Sequence, residues 1–142
     1  MKTLIIIKPD GVKRGLVGEI ISRFENYGFR IIALKILNLD RKMAEKLYAI
    51  HKGKSFFDSL IEYITSGPVV AAVLATDNLT PENGIKVVRK IVGATNPLEA
   101  EMGSIRGDYA FDISGNLIHA SDSEESAEYE IPIFFNDNEL ID

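Results

Sequence analysis

The sequence predicts an α+β fold: a four-stranded antiparallel sheet, with a helical pair inserted between the second and third strands and a long loop before the fourth. Three observations predict it. Four short runs have strand character. The segments between them carry apolar residues at helical spacing, and Gly or Pro marks most of the boundaries. The third observation is a stretch, 93–115, that follows neither period.

A chain of 142 residues supports one hydrophobic core of ordinary domain size, so residues 1–142 are expected to form a single domain. Hydrophobic residues make up 46% and charged residues 26%, which excludes disordered and fibrous classes. No apolar run approaches the roughly 20 residues that span a bilayer, and Lys8-Pro9-Asp10 interrupts the N-terminal one too early for a signal peptide. With no cysteine, disulfides and thiolate metal sites are unavailable, which fits a reducing, cytoplasmic setting. Asn78-Leu79-Thr80 matches a glycosylation sequon, discounted because nothing targets the chain for secretion. The net charge of −5 argues against general binding to nucleic-acid backbones, so any polyphosphate site must be a local cluster of cations.

Thr3–Lys8 is a short apolar strand ended by the turn signal Pro9-Asp10-Gly11. Val17, Ile20, Ile21 and Phe24 then form the stripe of an amphipathic helix, with Gly28 as its left-handed C-cap. "FRIIALKIL" (29–37) returns to β-branched strand character. Asp40 is the expected N-cap of a helix to about Ile50, with Met43, Leu47 and Ile50 on one face. Ser55 is the expected cap of a second helix, with Phe57, Leu60, Ile61 and Ile64 inward and Gly67-Pro68 as its stop. "VVAAVLA" (69–75) is a strand covered on both faces. Thr80-Pro81-Glu82 opens a helix to about Val92, with cap, N1 proline and first-turn acid in order. The long loop 93–115 is of the kind usually kept for function. "NLIHA" (116–120) is the last strand. Ser121 or Asp122 is expected to cap a helix starting near Ser123, with Glu124 or Glu125 completing a capping box and Pro132 at or just beyond its end. Without the helical pair the order is βαββαβ, the ferredoxin-like arrangement with helices on one face of the sheet. That fold hosts unrelated functions, so function must come from the site.

"HKGKS" (51–55) is not a phosphate loop: the motif needs a glycine at 48, where Tyr48 stands, and a preceding strand. "RGD" (106–108) is a chance tripeptide. The cations away from obvious helix surfaces are Lys8 at a strand end, Arg89 late in a helix and Arg106 in the long loop, with Thr95 and Asn116 as neutral hydrogen-bonding groups nearby in sequence. Taken singly each has a plain structural reading. His119, one of two histidines, could equally be a surface residue before a helix cap. A neutral imidazole can however attack phosphorus directly if one ring nitrogen is held by a hydrogen bond while the other attacks. A carboxylate such as Glu130, itself held by a hydroxyl such as Ser121, could hold it.

"IIIKPDGVKRGLVGEII", "SGPVVA", "GATNP", "SIRGDY" and "NLIHASDSEESAEYEI" together resemble the nucleoside diphosphate kinase family from end to end, with Asn-x-x-His-x-Ser-Asp-Ser as its active-site signature. The resemblance implies that His119 accepts the γ-phosphoryl group of a nucleoside triphosphate, chiefly ATP, and passes it to a second nucleoside diphosphate. It implies that Glu130 and Ser121 orient the ring and that Tyr48 lies beside the transferred group. Arg89, Thr95 and Arg106 would hold the outer phosphates, with Mg²⁺ bridging phosphate oxygens rather than sitting on protein ligands. Lys8 and Asn116 would meet the sugar hydroxyls. Phe56 would stack on the base, with Leu60 and Ile113 as apolar neighbours and 93–115 as a long nucleotide-binding loop. His51 lies where some relatives approach the α-phosphate. The family assembles as homo-oligomers, hexamers or tetramers built on a shared dimer. Lys54 stands where many members have arginine, and Met102 where a proline or small residue is common. The chain ends at Asp142 without the longer tail of many eukaryotic members.

Phosphoryl transfer needs mainly positioning and charge stabilisation, which such a set supplies. Stacking on one aromatic face accepts any base, so broad base specificity is expected. An RNA-binding module of the same fold would show aromatics on its central strands and a basic surface. "TLIIIK" and "VVAAVLA" have no aromatics and the chain is acidic. A family member kept only for interaction would show a broken catalytic set. His119, Lys8, Arg89, Arg106, Thr95 and Asn116 are all present.

Overall fold

The computed structural model describes residues 1–142. In chain order the elements are β1 (Lys2–Ile7), α1 (Pro9–Lys13), α2 (Val17–Tyr27), β2 (Arg30–Leu37), α3 (Arg41–Leu47), α4 (Phe57–Ile64) and β3 (Val69–Ala75). There follow α5 (Pro81–Val92), α6 (Ile105–Tyr109), β4 (Ile118–Ala120) and α7 (Glu124–Phe134). The strands form one sheet in the order β2-β3-β1-β4, every neighbouring pair antiparallel. β1 and β2 therefore run the same way with β3 between them, and β3 and β4 with β1 between them. These are the two interlocked split βαβ units of the ferredoxin-like fold, with α2 and α5 as crossovers.

The apolar strands sort their side chains by the period of two. Leu4 and Ile6 with Val69, Ala71 and Val73 face one core, met by Ala44, Leu47, Phe57, Ile61 and Phe134. Ile5 and Ile7 with Val70, Ala72 and Leu74 face the other, met by Ile20, Phe24, Val88 and Val92. The two crossover helices share a face, as expected, but the other face is not bare: α3, α4 and α7 cover it. Because β3 is buried at every position, both faces have to be dry, and a sheet with helices on one face only would leave half of it in water.

Several local expectations change. Pro9-Asp10-Gly11 is not a free turn but the start of α1, with Pro9 in the first turn where its missing N–H costs nothing. The α3 helix stops at Leu47 and a 3₁₀ turn, Ala49–His51, follows, leaving Ile50 81% exposed rather than on a buried face. Ser55 caps nothing; Phe56 occupies the cap position of α4 without a side-chain bond. The long loop is not structureless: it holds a 3₁₀ turn (Pro97–Glu99) and α6, both too short to show a period. The last strand is Ile118–Ala120, shorter than 116–120. The cap of α7 is Ser123, whose hydroxyl accepts from the Ser126 N–H, so neither Ser121 nor Asp122 caps it and no glutamate closes a box. Pro132 lies inside α7, and the ladder resumes beyond it where Phe135 N–H donates to the Ile131 carbonyl at 3.0 Å. No helix is long and apolar enough to cross a membrane.

Candidate functional site

His119 stands opposite Ile6 in the β1–β4 pairing, so its ring emerges on the face that α3, α4 and α7 cover. On α7 the residues turned inward are Ala127, Glu130 and Phe134, a helical stripe in which one position is a carboxylate. That stripe brings Glu130 onto the end of β4. Its Oε1 lies 2.7 Å from His119 Nε2 and accepts from Ser121 Oγ at 2.9 Å. Ser121 is fully buried and Glu130 is 8% exposed, so this is a dry, mutually satisfied trio. With Nε2–H donating to the carboxylate, the lone pair sits on Nδ1, and the His119 side chain keeps 19% of its surface open. The arrangement is that of a nucleophile held at its far nitrogen.

Tyr48, just past α3, packs edge-on against His119, with ring centroids 6.0 Å apart and planes at 87°. Its hydroxyl is buried without a hydrogen-bond partner. Burial, and then the charge of Glu130, push its pKa up, so it remains a donor in need of an acceptor. His51 lies 6.2 Å from the Tyr48 ring and 5.3 Å from Phe56. Burial and the neighbouring Lys54 hold its pKa down. Lys54 Nζ is 3.3 Å from His51 Nδ1. A row of rings thus runs from His119 through Tyr48 and His51 to Phe56.

Across from that row lie the cations. Lys8 Nζ donates to Asn116 Oδ1 at 2.8 Å. Burial first, then repulsion from Arg106, brings its pKa down to about 8. Arg106, on α6 and 4% exposed, gives hydrogen bonds to the main-chain carbonyls of Gly93 (3.0 Å), Asn116 (3.2 Å) and Ile118 (2.6 Å). Burial and then Arg89 lower its pKa to about 10. Arg89 reaches the Ala120 carbonyl at 3.4 Å. The recorded partners of all three cations are an amide and carbonyls, not carboxylates. Lys8 and Arg106 are buried while Arg89 is exposed. For the two buried ones, charge without a hydrogen-bonded counter-ion is costly, and a polyanion would relieve it. Thr95 is exposed beside them, its carbonyl accepting from Asn116 Nδ2 at 3.4 Å.

Next to Lys8 opens a cleft of about 930 Å³ between α4 and residues 111–115, with Phe56, Leu60 and Ile113 among its walls. Phe56 is 46% exposed and Ile113 59%, an open aromatic face opposite an aliphatic one. Of the residues singled out in the sequence, Lys8, Phe56, Leu60 and Ile113 line this cleft. Tyr48, His51 and His119 belong to the ring row, with Ser121 and Glu130 as its anchor. Arg89, Arg106, Thr95 and Asn116 are joined by hydrogen bonds to the β4 segment or its approach. No group of three or more His, Cys, Asp or Glu side chains gathers anywhere, so the chain has no cage for a metal ion.

Residues that the sequence reading passed over also lie here. Asp10 and Tyr63 line the cleft and are hydrogen-bonded to each other. Arg14 sits 5.0 Å from the centroid of the exposed Phe111 ring on the same wall. Leu117, fully buried, has φ +73°, a left-handed conformation that costs a non-glycine residue about 1–3 kcal/mol. Within "KPDG" Asp10 was legible only as part of a turn, and a leucine carries no signal for a positive φ.

An aromatic-walled cleft beside Lys8, with an anchored imidazole and cations that lack carboxylate hydrogen-bond partners, suits a phosphorylated ligand that carries an aromatic ring. The comparisons agree. A family profile described as nucleoside diphosphate kinase matches residues 1–140. A protein of Sulfurisphaera tokodaii named nucleoside diphosphate kinase is 56% identical over 99% of this chain and 92% of its own length. One of that name from Methanocaldococcus jannaschii is 54% identical over 99% and 97%. Among solved structures, a halophilic nucleoside diphosphate kinase from Halobacterium salinarum in complex with CDP superimposes with a TM-score of 0.93 at 43% identity, covering 100% of this chain and 91% of that one. The Aquifex aeolicus nucleoside diphosphate kinase gives 0.92 at 43% identity, covering 99% and 98%. The chain belongs to the nucleoside diphosphate kinase family.

Proposed function

We propose that His119 Nδ1 is the nucleophile of a ping-pong transfer of the γ-phosphoryl group from a nucleoside triphosphate, chiefly ATP, to a nucleoside diphosphate. The observation that carries this reading is the Glu130 oxygen held between His119 Nε2 and Ser121 Oγ. In the first half-reaction the Nδ1 lone pair forms a bond to the γ-phosphorus while the bond to the β–γ bridging oxygen breaks and the diphosphate departs. The imidazole becomes cationic, and Glu130 stabilises that charge through the hydrogen bond already in place. In the second half-reaction a terminal oxygen of the acceptor diphosphate attacks the same phosphorus. The N–P bond breaks and its electron pair returns to Nδ1. No proton has to leave the ring in either direction.

The cation cluster would hold the phosphates. Arg106 has five N–H donors, and its main-chain bonds use three, leaving two for phosphate oxygens. Arg89 and the Thr95 hydroxyl would share that task, and His51 would approach the α-phosphate. Tyr48 O–H, without a partner in the fold, would donate to the transferred group. Lys8 and Asn116 would present an ammonium and an amide to the sugar hydroxyls. Phe56 would stack on the base opposite Leu60 and Ile113, and no wall residue is committed to one base edge. The donor set fits a divalent cation that arrives on the nucleotide: there is no protein cage, and Asp122, which feels the charges of Arg89 and His119, is a carboxylate able to meet it. Mg²⁺ held there would offset the charge of the phosphates. We further read residues 1–142 as one catalytic domain, working in the cytoplasm as a homo-oligomer, hexamer or tetramer.

Incubation with ATP and Mg²⁺ without acceptor should leave one phosphate per chain, labile in acid and stable in base, discharged by any nucleoside diphosphate. His119→Ala should abolish label and turnover, while His51→Ala keeps the label. An acid-stable label, or one that survives His119→Ala, overturns the assignment.

A further inference from the structure

One carboxylate outside the proposed transfer machinery has both oxygens engaged, each by a different part of the site. Asp10 Oδ1 accepts from the Tyr63 hydroxyl on α4, and Oδ2 accepts from the Leu117 N–H at 3.2 Å. The Leu117 carbonyl in turn accepts from the Lys8 N–H at 2.8 Å. Both main-chain groups of Leu117 are therefore held by residues 8–10, and this is the residue at φ +73°. Its side chain is fully buried, so it cannot relax to an extended conformation without emptying its place in the core. Its neighbours on either side, Asn116 and Ile118, are the carbonyls that Arg106 grips, and His119 follows directly. Gly11 permits the approach, since a Cβ there would lie 2.8 Å from Ile7 Cγ2 and 3.2 Å from the Leu117 carbonyl.

We propose that Asp10 is a positioning residue for the transfer: it latches helix α4, which carries the wall on which the base stacks, to the strained backbone that presents Asn116 and His119. Closing the cleft on a base and seating the nucleophile then become one event, because Tyr63 and Leu117 share an anchor. Asp10 has a second effect through space. Lys8 faces the Arg106 guanidinium, which disfavours its charge, and Asp10, which favours it, beside the neutral Asn116. The carboxylate thus helps keep the Lys8 ammonium protonated. The inference rests on the proposed role of His119, Lys8 and Asn116.

The test compares the parent with Tyr63→Phe, Asp10→Asn and the double variant, all as full chains. The readouts are melting temperature, ATP labelling of His119, and kcat/KM for GDP discharge between pH 6 and pH 10, roughly the interval that brackets a lysine lowered by burial. Tyr63→Phe keeps the ring and should melt close to the parent, yet lose about tenfold in kcat/KM, the scale of one hydrogen bond to a charged acceptor. Asp10→Asn should lose at least as much and also move the alkaline fall of kcat/KM to lower pH. Tyr63→Phe, which retains the Asp10 charge, should not move it. The double variant should be no worse than Asp10→Asn, because both changes break one latch. The latch is overturned if Tyr63→Phe keeps the parent kcat/KM, if the two losses multiply, or if Asp10→Asn lowers melting while leaving the alkaline limb in place. Should Asp10→Asn not fold, Tyr63→Phe decides alone. A parent that takes no label on His119 instead overturns the underlying reading, a result distinct from a parent that labels and variants that match it.

Discussion

At the scale of single residues, the site depends on groups whose environment opposes their charge. The sign of the Lys8 effect can be worked through. Its pKa is lowered from 10.5 to about 8, so between those values the unfolded chain binds a proton that the folded chain does not. The contribution of Lys8 to stability therefore rises with pH across that interval. Nucleotide binding has the opposite sign, because the ammonium is the useful form. The expected outcome is an affinity for nucleoside diphosphate that falls as pH passes about 8, while thermal stability shows no matching fall. Titrating both by calorimetry checks it. Ser121→Ala should slow phosphorylation of His119 about tenfold through the loss of one buried hydrogen bond to the carboxylate, with little change in KM. Rapid-quench labelling measures that step. Beyond its proposed role as a phosphate ligand, Arg106 holds three main-chain carbonyls. Arg106→Ala should depress kcat more than diphosphate affinity and also cost about 2–4 kcal/mol of stability. Denaturant melts beside steady-state kinetics separate the two effects.

At the scale of elements, one of the two shortest helices carries one of the most connected side chains. The α6 helix has five residues and would not persist alone. Ser104 holds it from both sides, accepting from the Gly107 N–H at 3.0 Å and donating to the Glu101 carbonyl at 2.5 Å. A Cβ on Gly107 would run into the Glu101 carbonyl oxygen. Gly107→Ala should therefore cost about 1–3 kcal/mol and shift Arg106, weakening phosphate binding although no ligand is touched. Melting and diphosphate titration check this together. The α4 helix contributes in a different way, by presenting an exposed ring at its start. Phe56→Ala should raise KM for all bases by similar factors, worth roughly 1–3 kcal/mol, and a loss confined to one base would contradict a generic platform. The longer helices were legible in the sequence because their apolar stripes and caps repeat a period: Asp40 and Thr80 cap α3 and α5 as expected, and Gly28 ends α2 at φ +112°. The α6 helix and the true cap of α7 were not. Ser121 and Asp122 were the expected caps; Ser123 beside them offers equivalent local chemistry, and the Ser121 hydroxyl is instead taken up by Glu130.

At the scale of the whole molecule, the sheet places chemistry at one corner. The short edge strand β4 is tied to β1 alone, and the β1 end, the α6 loop and the inward stripe of α7 meet beside it. The opposite edge strand, β2, pairs with no further strand, is met by the C-terminal segment where Ile141 N–H donates to the Ile32 carbonyl, and exposes Leu34 (54%) and Ile36 (66%). An assembly of several chains is the expected solution state, and light scattering on a sizing-column peak should give four or six times 15.7 kDa. A peak at the monomer mass would contradict it.

By itself the sequence determined the order of strands and long helices, the apolar cores on β1 and β3, and the candidate residues for the chemistry. These are set by periodicity, composition and motif, which are properties of short stretches of chain. It carried the family as well, because the matching blocks lie from the first strand to the last helix. Only the tertiary structure decided what those residues meet. Glu130 lands on His119 because α7 turns that position inward over β4, Lys8 finds Asn116 across 108 positions of chain, and Asp10 holds a left-handed Leu117 across 107. Such pairings depend on how a twisted sheet packs against helices on both faces. That packing is a sum over distant contacts with no local period to announce it, so the identity of the helices covering the second face, the strain at Leu117 and the Asp10 contacts to Tyr63 and Leu117 became visible only in three dimensions.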